Sequence, residues 1–140
     1  MKEENTFDKI VSVVQDKASL KQEIYRNTLL TFETFKKEGQ ALIEELKGKM
    51  STFDKDVILE FTEKGEFEFQ LKIGGDIILF YMHTNVFDFD KTHSLWKTAY
   101  VKSDSSRTYC GMINIYNFLS DSFKYSRFDD SGYLIGRAFI

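Results

Sequence analysis

Residues 67–83, FEFQLKIGGDIILFYMH, limit the possible folds more than any other part of the chain. Phe67, Phe69, Leu71 and Ile73 alternate with Glu66, Glu68, Gln70 and Lys72, the two-residue period of a half-buried strand. Gly74-Gly75 then tolerates the positive φ that a tight hairpin needs. The return segment, 77–82, is the longest apolar run in the sequence.

A two-residue loop at Gly74-Gly75 sets Ile73 opposite Asp76, Leu71 opposite Ile78, Phe69 opposite Phe80 and Phe67 opposite Met82. The other face then carries Lys72, Gln70, Glu68 and Glu66 beside Ile77, Leu79, Tyr81 and His83. A three-residue loop would exchange the faces of the return strand. In either register that strand is apolar on both sides, which places it inside a sheet, with helices over one face and core aromatics over the other.

Upstream, the period changes. Phe7, Val11, Val14, Ala18, Tyr25, Leu29, Phe32, Phe35, Leu42 and Leu46 recur at helical steps close to one stripe. Asn5 or Thr6 can cap the start, and Lys47-Gly48-Lys49 is a stop signal. Lys21 interrupts the stripe and Gly39 weakens it. One unbroken helix of about 40 residues would be about 60 Å long. A compact domain of this size is only about 40 Å across. The expectation is therefore an early break or kink near residues 17–19 or at Gly39, giving two helices, with one long helix as the alternative.

Downstream, 57–62, 86–89, 95–101, 107–118, 123–128 and 133–140 read as strands or their continuations, and 102–106 as a loop. The β-branched residues and Asn114 favour strand over helix between 111 and 119. The fold class is α+β: one or two N-terminal helices, about 6–47, on an antiparallel sheet of about six strands. A chain of 140 residues makes one domain, helical over 1–50 and sheet over 53–140. Because the sequence stops inside a strand pattern, either Ile140 is paired and buried or the chain belongs to a longer protein.

Charge argues against a nucleic-acid partner. The net charge is −3, and residues 54–90 carry three lysines against nine acids. Residues 91–128 carry six bases and two acids, so the two halves can neutralise each other within one sheet. Cys110 is the only cysteine, so no internal disulfide can form, and a cytoplasmic setting is the simplest expectation. The N-terminus lacks an apolar signal core, and no run is long enough to span a membrane.

Three groups of residues carry chemistry. Asp88 and Asp90 share one side of a strand end, with His93 following and His83 preceding. Together they would suit a first-row divalent metal in a hydrolase. Asp56 with Gln70 and Lys72 has the order of a metal-dependent nuclease's acids and lysine, although the acidic hairpin would repel DNA. The third group is aromatic and cationic: Trp96, Tyr100, Tyr109 and Tyr116 with Arg107 and Arg127. Side chains with an apolar body and a polar tip build pockets and interfaces.

The leading expectation is a non-enzymatic binding domain that requires no cofactor. It would self-associate through its helical segment, as a homodimer or with a protein partner, and present that aromatic surface to a partner or small molecule. The alternatives are the metal-dependent hydrolase and a small-molecule sensor.

Overall fold

The computed structural model describes residues 5–121 and 132–140. The chain begins as α1 (Thr6–Val13), passes through one π-helical turn (Val14–Ala18) and continues as α2 (Ser19–Met50). Asn5 Oδ1 accepts from the Phe7 amide at the start. Lys47 and Lys49 stand in the last turn, where the dipole favours cations.

The expected break into two helices is therefore corrected: the backbone stays helical from Thr6 to Met50. The irregularity near residues 17–19 is a π turn instead, closed by the Ser19 amide on the Val14 carbonyl. Such a turn inserts one residue without ending the helix, so it rotates what precedes it by about 100°. Gly39 does not break the helix either. It is buried, and a β-carbon there would meet Phe69 at 3.2 Å and Leu71 at 3.3 Å. Glycine lets the helix lie close to the sheet.

Among the described residues five antiparallel strands follow in simple sequence order, β1 (Leu59–Glu63), β2 (Glu68–Ile73), β3 (Asp76–Asp88), β4 (Tyr109–Leu119) and β5 (Tyr133–Phe139). The hairpin has the two-residue register: Ile73 faces Asp76, Leu71 faces Ile78 and Phe69 faces Phe80. Gly74 supplies the positive φ, at 60°. Strand β3 is the middle strand, as its two apolar faces require. It runs past residue 82 to Asp88, with a register shift between His83 and Phe87. The possible sixth strand, 123–128, lies outside the described residues.

Helix α2 covers one face of the sheet. Its buried stripe is Thr28, Phe32, Lys36, Gly39 and Ile43, spaced three or four apart as one helical face demands. Phe32 and Ile43 pack with Leu59, Phe69, Leu71, Met82 and Ile113. Phe69 stacks on Phe80 at 4.5 Å and contacts Phe32 at 5.3 Å. Each fully buried side chain of this size contributes about 1.5–3 kcal/mol of transfer free energy. Lys36 is buried too, and its Nζ donates to Glu63 at 2.8 Å, Glu33 at 3.2 Å and the Glu66 carbonyl at 3.0 Å. It ties the helix to the β1–β2 connection. On the opposite face, Ile77, Leu79 and Tyr81 of β3 stand beside Phe118, Tyr116 and Asn114 of β4.

Candidate functional site

Adjacent antiparallel strands can be joined by two residues. Strands β3 and β4 are joined by 20, residues 89–108. This segment was expected to contain a strand at 95–101, and that expectation is corrected. It forms a 3₁₀ turn (Ser94–Lys97), helix α3 (Ala99–Ser103) and a second 3₁₀ turn (Ser105–Thr108). Local caps outweigh the strand pattern. His93 Nδ1 accepts from the Leu95 amide at 3.1 Å, Thr98 Oγ1 from the Val101 amide at 3.4 Å, and Asp104 Oδ1 from the Ser106 amide at 3.0 Å. The supposed loop at 102–106 is the joint between α3 and the last turn.

The connection is tied down at its base and along its length. The Phe89 amide donates to the Thr108 carbonyl at 3.0 Å, and Trp96 Nε1 to the Phe89 carbonyl at 3.0 Å. Arg107 Nη1 donates to the Tyr100 carbonyl and to Ser103 Oγ, both at 2.9 Å. The guanidinium lies over the Tyr100 ring at 4.6 Å, and its Nε is 3.9 Å from Asp104. Connecting segments held by a rigid scaffold often carry binding residues.

Between the connection, the start of α2 and the ends of β4 and β5 lies a cleft of about 400 Å³. That volume falls within the range of small-molecule sites. The helix lends Leu20, Glu23, Ile24 and Asn27. The connection lends Phe89, Leu95, Tyr100 and Arg107, and the strands Tyr109, Cys110 and Phe139. Burial, and secondarily the charge of Asp88, push the Cys110 thiol pKa up, so it stays protonated and unreactive at neutral pH.

Of the aromatic and cationic residues expected to act together, Tyr100, Arg107 and Tyr109 meet in the cleft. Trp96 stands behind it as a brace for Phe89. Tyr116 lies elsewhere on β4, opposite Leu79 and 6.2 Å from Phe118. Arg127 lies outside the described residues. Leu20 and Ile24 escaped the sequence reading, although they are apolar, four apart and off the main stripe, which marks a second helical face.

The other two groups are not gathered. His83 Nδ1 accepts from the Asn85 amide at 3.1 Å, and His93 caps a turn. Asp90 Oδ1 accepts from the Thr92 amide at 2.8 Å and hydroxyl at 2.7 Å, bonds that lower its pKa. Asp88 is exposed opposite Tyr109. Among the described residues, no three His, Cys, Asp or Glu side chains are grouped to hold a metal ion. Asp56 lies in the turn before β1, whereas Lys72 pairs across the strands with Glu60 and Ile77.

No protein-family model, no curated protein and no solved structure matches this chain. Among the described residues, no helix is long and apolar enough to cross a membrane.

Proposed function

We propose that this chain is a non-enzymatic binding domain that self-associates through its N-terminal helix and holds a partner or ligand at the cleft. One observation carries self-association. None of residues 6–18 is buried, yet Phe7, Ile10, Val13 and Val14 are each more than half exposed. These 13 residues extend about 20 Å, and buried positions in the helix begin only at Thr28. The π turn separates this apolar face from the stripe that α2 lays on the sheet.

A second copy of the same segment is the occupant that matches it. Covering the exposed half of four such side chains on each of two helices is worth about 8 kcal/mol. That is of the order of the cost of bringing two chains together. The association is accordingly reversible and concentration-dependent. A single cysteine, which can form no internal disulfide, fits a reducing compartment such as the cytoplasm.

Sedimentation over a wide concentration range tests this. The chain should pass from monomer to dimer, and Ile10→Asp with Val14→Asp should hold it monomeric while its melting temperature matches that of the wild-type chain at concentrations where the latter is monomeric. A monomer at every concentration, or a dimer indifferent to both substitutions, overturns the reading. A sensor function is favoured by one further observation: Leu20, Glu23 and Ile24 line the cleft within two turns of the π turn. Occupancy would bear directly on the base of the associating segment.

A further inference from the structure

We infer that the cleft between α2 and residues 89–108 takes a small apolar molecule bearing one carboxylate, held by Arg107. This deepens the reading of the chain as a binding domain and does not depend on its self-association. The floor is apolar, with Leu20 and Ile24 from the helix, Phe89 and Leu95 from the connection, and Phe139 from β5. An apolar body of modest size can leave water there.

Arg107 supplies the specific contact. Its Nη1 is spent on the Tyr100 carbonyl and Ser103 Oγ, and its plane is held against the Tyr100 ring. Those contacts fix the guanidinium before any ligand arrives. Its Nη2 makes no hydrogen bond among the described residues, so this side chain, one of those lining the cleft, keeps two charge-assisted donors for a ligand. A fixed cation with open donors on an apolar wall matches a carboxylate, and little of the cost of ordering the arginine remains at binding.

Glu23 narrows the class. It lines the cleft from the helix, so the lining carries one charge of each sign. With Asp104 also 3.9 Å from Arg107 Nε, each further negative charge on a ligand adds repulsion, so the smallest anionic head that can still bond Arg107, a single carboxylate with its apolar end on the floor, is favoured over a phosphate or polyanion.

The test compares 4-phenylbutyrate with 4-phenylbutanol, which share a body and differ in the charged head, by calorimetric titration of the full chain. The acid should bind saturably and at least about tenfold more tightly than the alcohol. Arg107→Gln should erase that preference, bringing the acid down to the affinity of the alcohol. Because Arg107 also braces the connection, Leu20→Trp provides a second arm: it fills the floor from the helix and should abolish binding of both compounds. Equal binding of acid and alcohol, a preference that survives Arg107→Gln, or binding unaffected by Leu20→Trp overturns the site. A chain that dimerises yet binds neither compound overturns the site and leaves self-association standing. A monomeric chain that prefers the acid does the reverse.

Discussion

Thr28 of α2 rests directly on Gly111 of β4. A β-carbon at Gly111 would fall 2.7 Å from Thr28 Cβ and Cγ2, and closer still to the hydroxyl. Thr28 is buried there, with its hydroxyl donating to the Ile24 carbonyl at 2.7 Å. Across the helix–sheet interface Gly39 does the reverse, bringing helix backbone against Phe69 and Leu71 of β2. Two glycines on opposite layers thus set the height of the helix over the sheet.

Gly111→Ala should therefore destabilise the fold by about 1–3 kcal/mol, the usual cost of overpacking a filled interior. Thr28→Ala removes two of the three crowded atoms, so the double variant should lose less than the two single losses together. Urea denaturation of the four members of this cycle measures the coupling. An additive cycle would mean that the helix moves away as a body.

Lys36 makes stability depend on pH on the alkaline side. Burial works to lower its pKa, but hydrogen bonds to Glu63 and Glu33, with their charges, outweigh it, and the net shift is upward. A raised folded-state pKa stabilises fully below the ordinary lysine value and fades as pH rises through the folded one. Wild-type stability should accordingly fall above about pH 10.5. Lys36→Met keeps the apolar stem and loses the bonds, so it should cost about 1–3 kcal/mol at neutral pH and flatten that alkaline limb. Chemical denaturation at a series of pH values reads both effects.

Cys110 should react slowly with a thiol reagent in the native protein at pH 8, because it is buried and its pKa is raised. Adding urea through the unfolding transition should raise the labelling rate in step with the unfolded fraction. Rapid native labelling would show that the cleft wall opens.

Asp90 should titrate below the ordinary aspartate value, since the Thr92 amide and then its hydroxyl stabilise the carboxylate. A depressed pKa stabilises above the unfolded value and is lost as pH falls through the folded one. Thr92→Ala keeps the amide bond and removes the other, so the Asp90 midpoint should move part of the way up. Carboxyl NMR shifts followed against pH would record it.

The hairpin was legible because its evidence is local. Alternation over 66–73, two glycines and an apolar return strand lie within 18 residues and agree on a hairpin, whose two-residue register the structure then selects. The helix was legible in extent but not in continuity. Its stripe predicts one face, and only the i→i+5 bond at Ser19 shows where a residue is inserted. At 95–101 the apolar spacing resembled a strand, while His93, Thr98 and Asp104 side chains capped short turns in its place.

By itself, the sequence determined the α+β class, the hairpin and the interior position of β3, since side-chain period and turn chemistry act between near neighbours, while the choice between a two- and a three-residue loop waited for the structure. The tertiary structure alone decided that Gly111 lies beneath Thr28 and that Leu20 and Ile24 meet Arg107 across a cleft. These residues are more than 80 positions apart in the chain. Their meeting depends on the path of residues 89–108 and the rotation of the helix, which packing settles and no local pattern encodes.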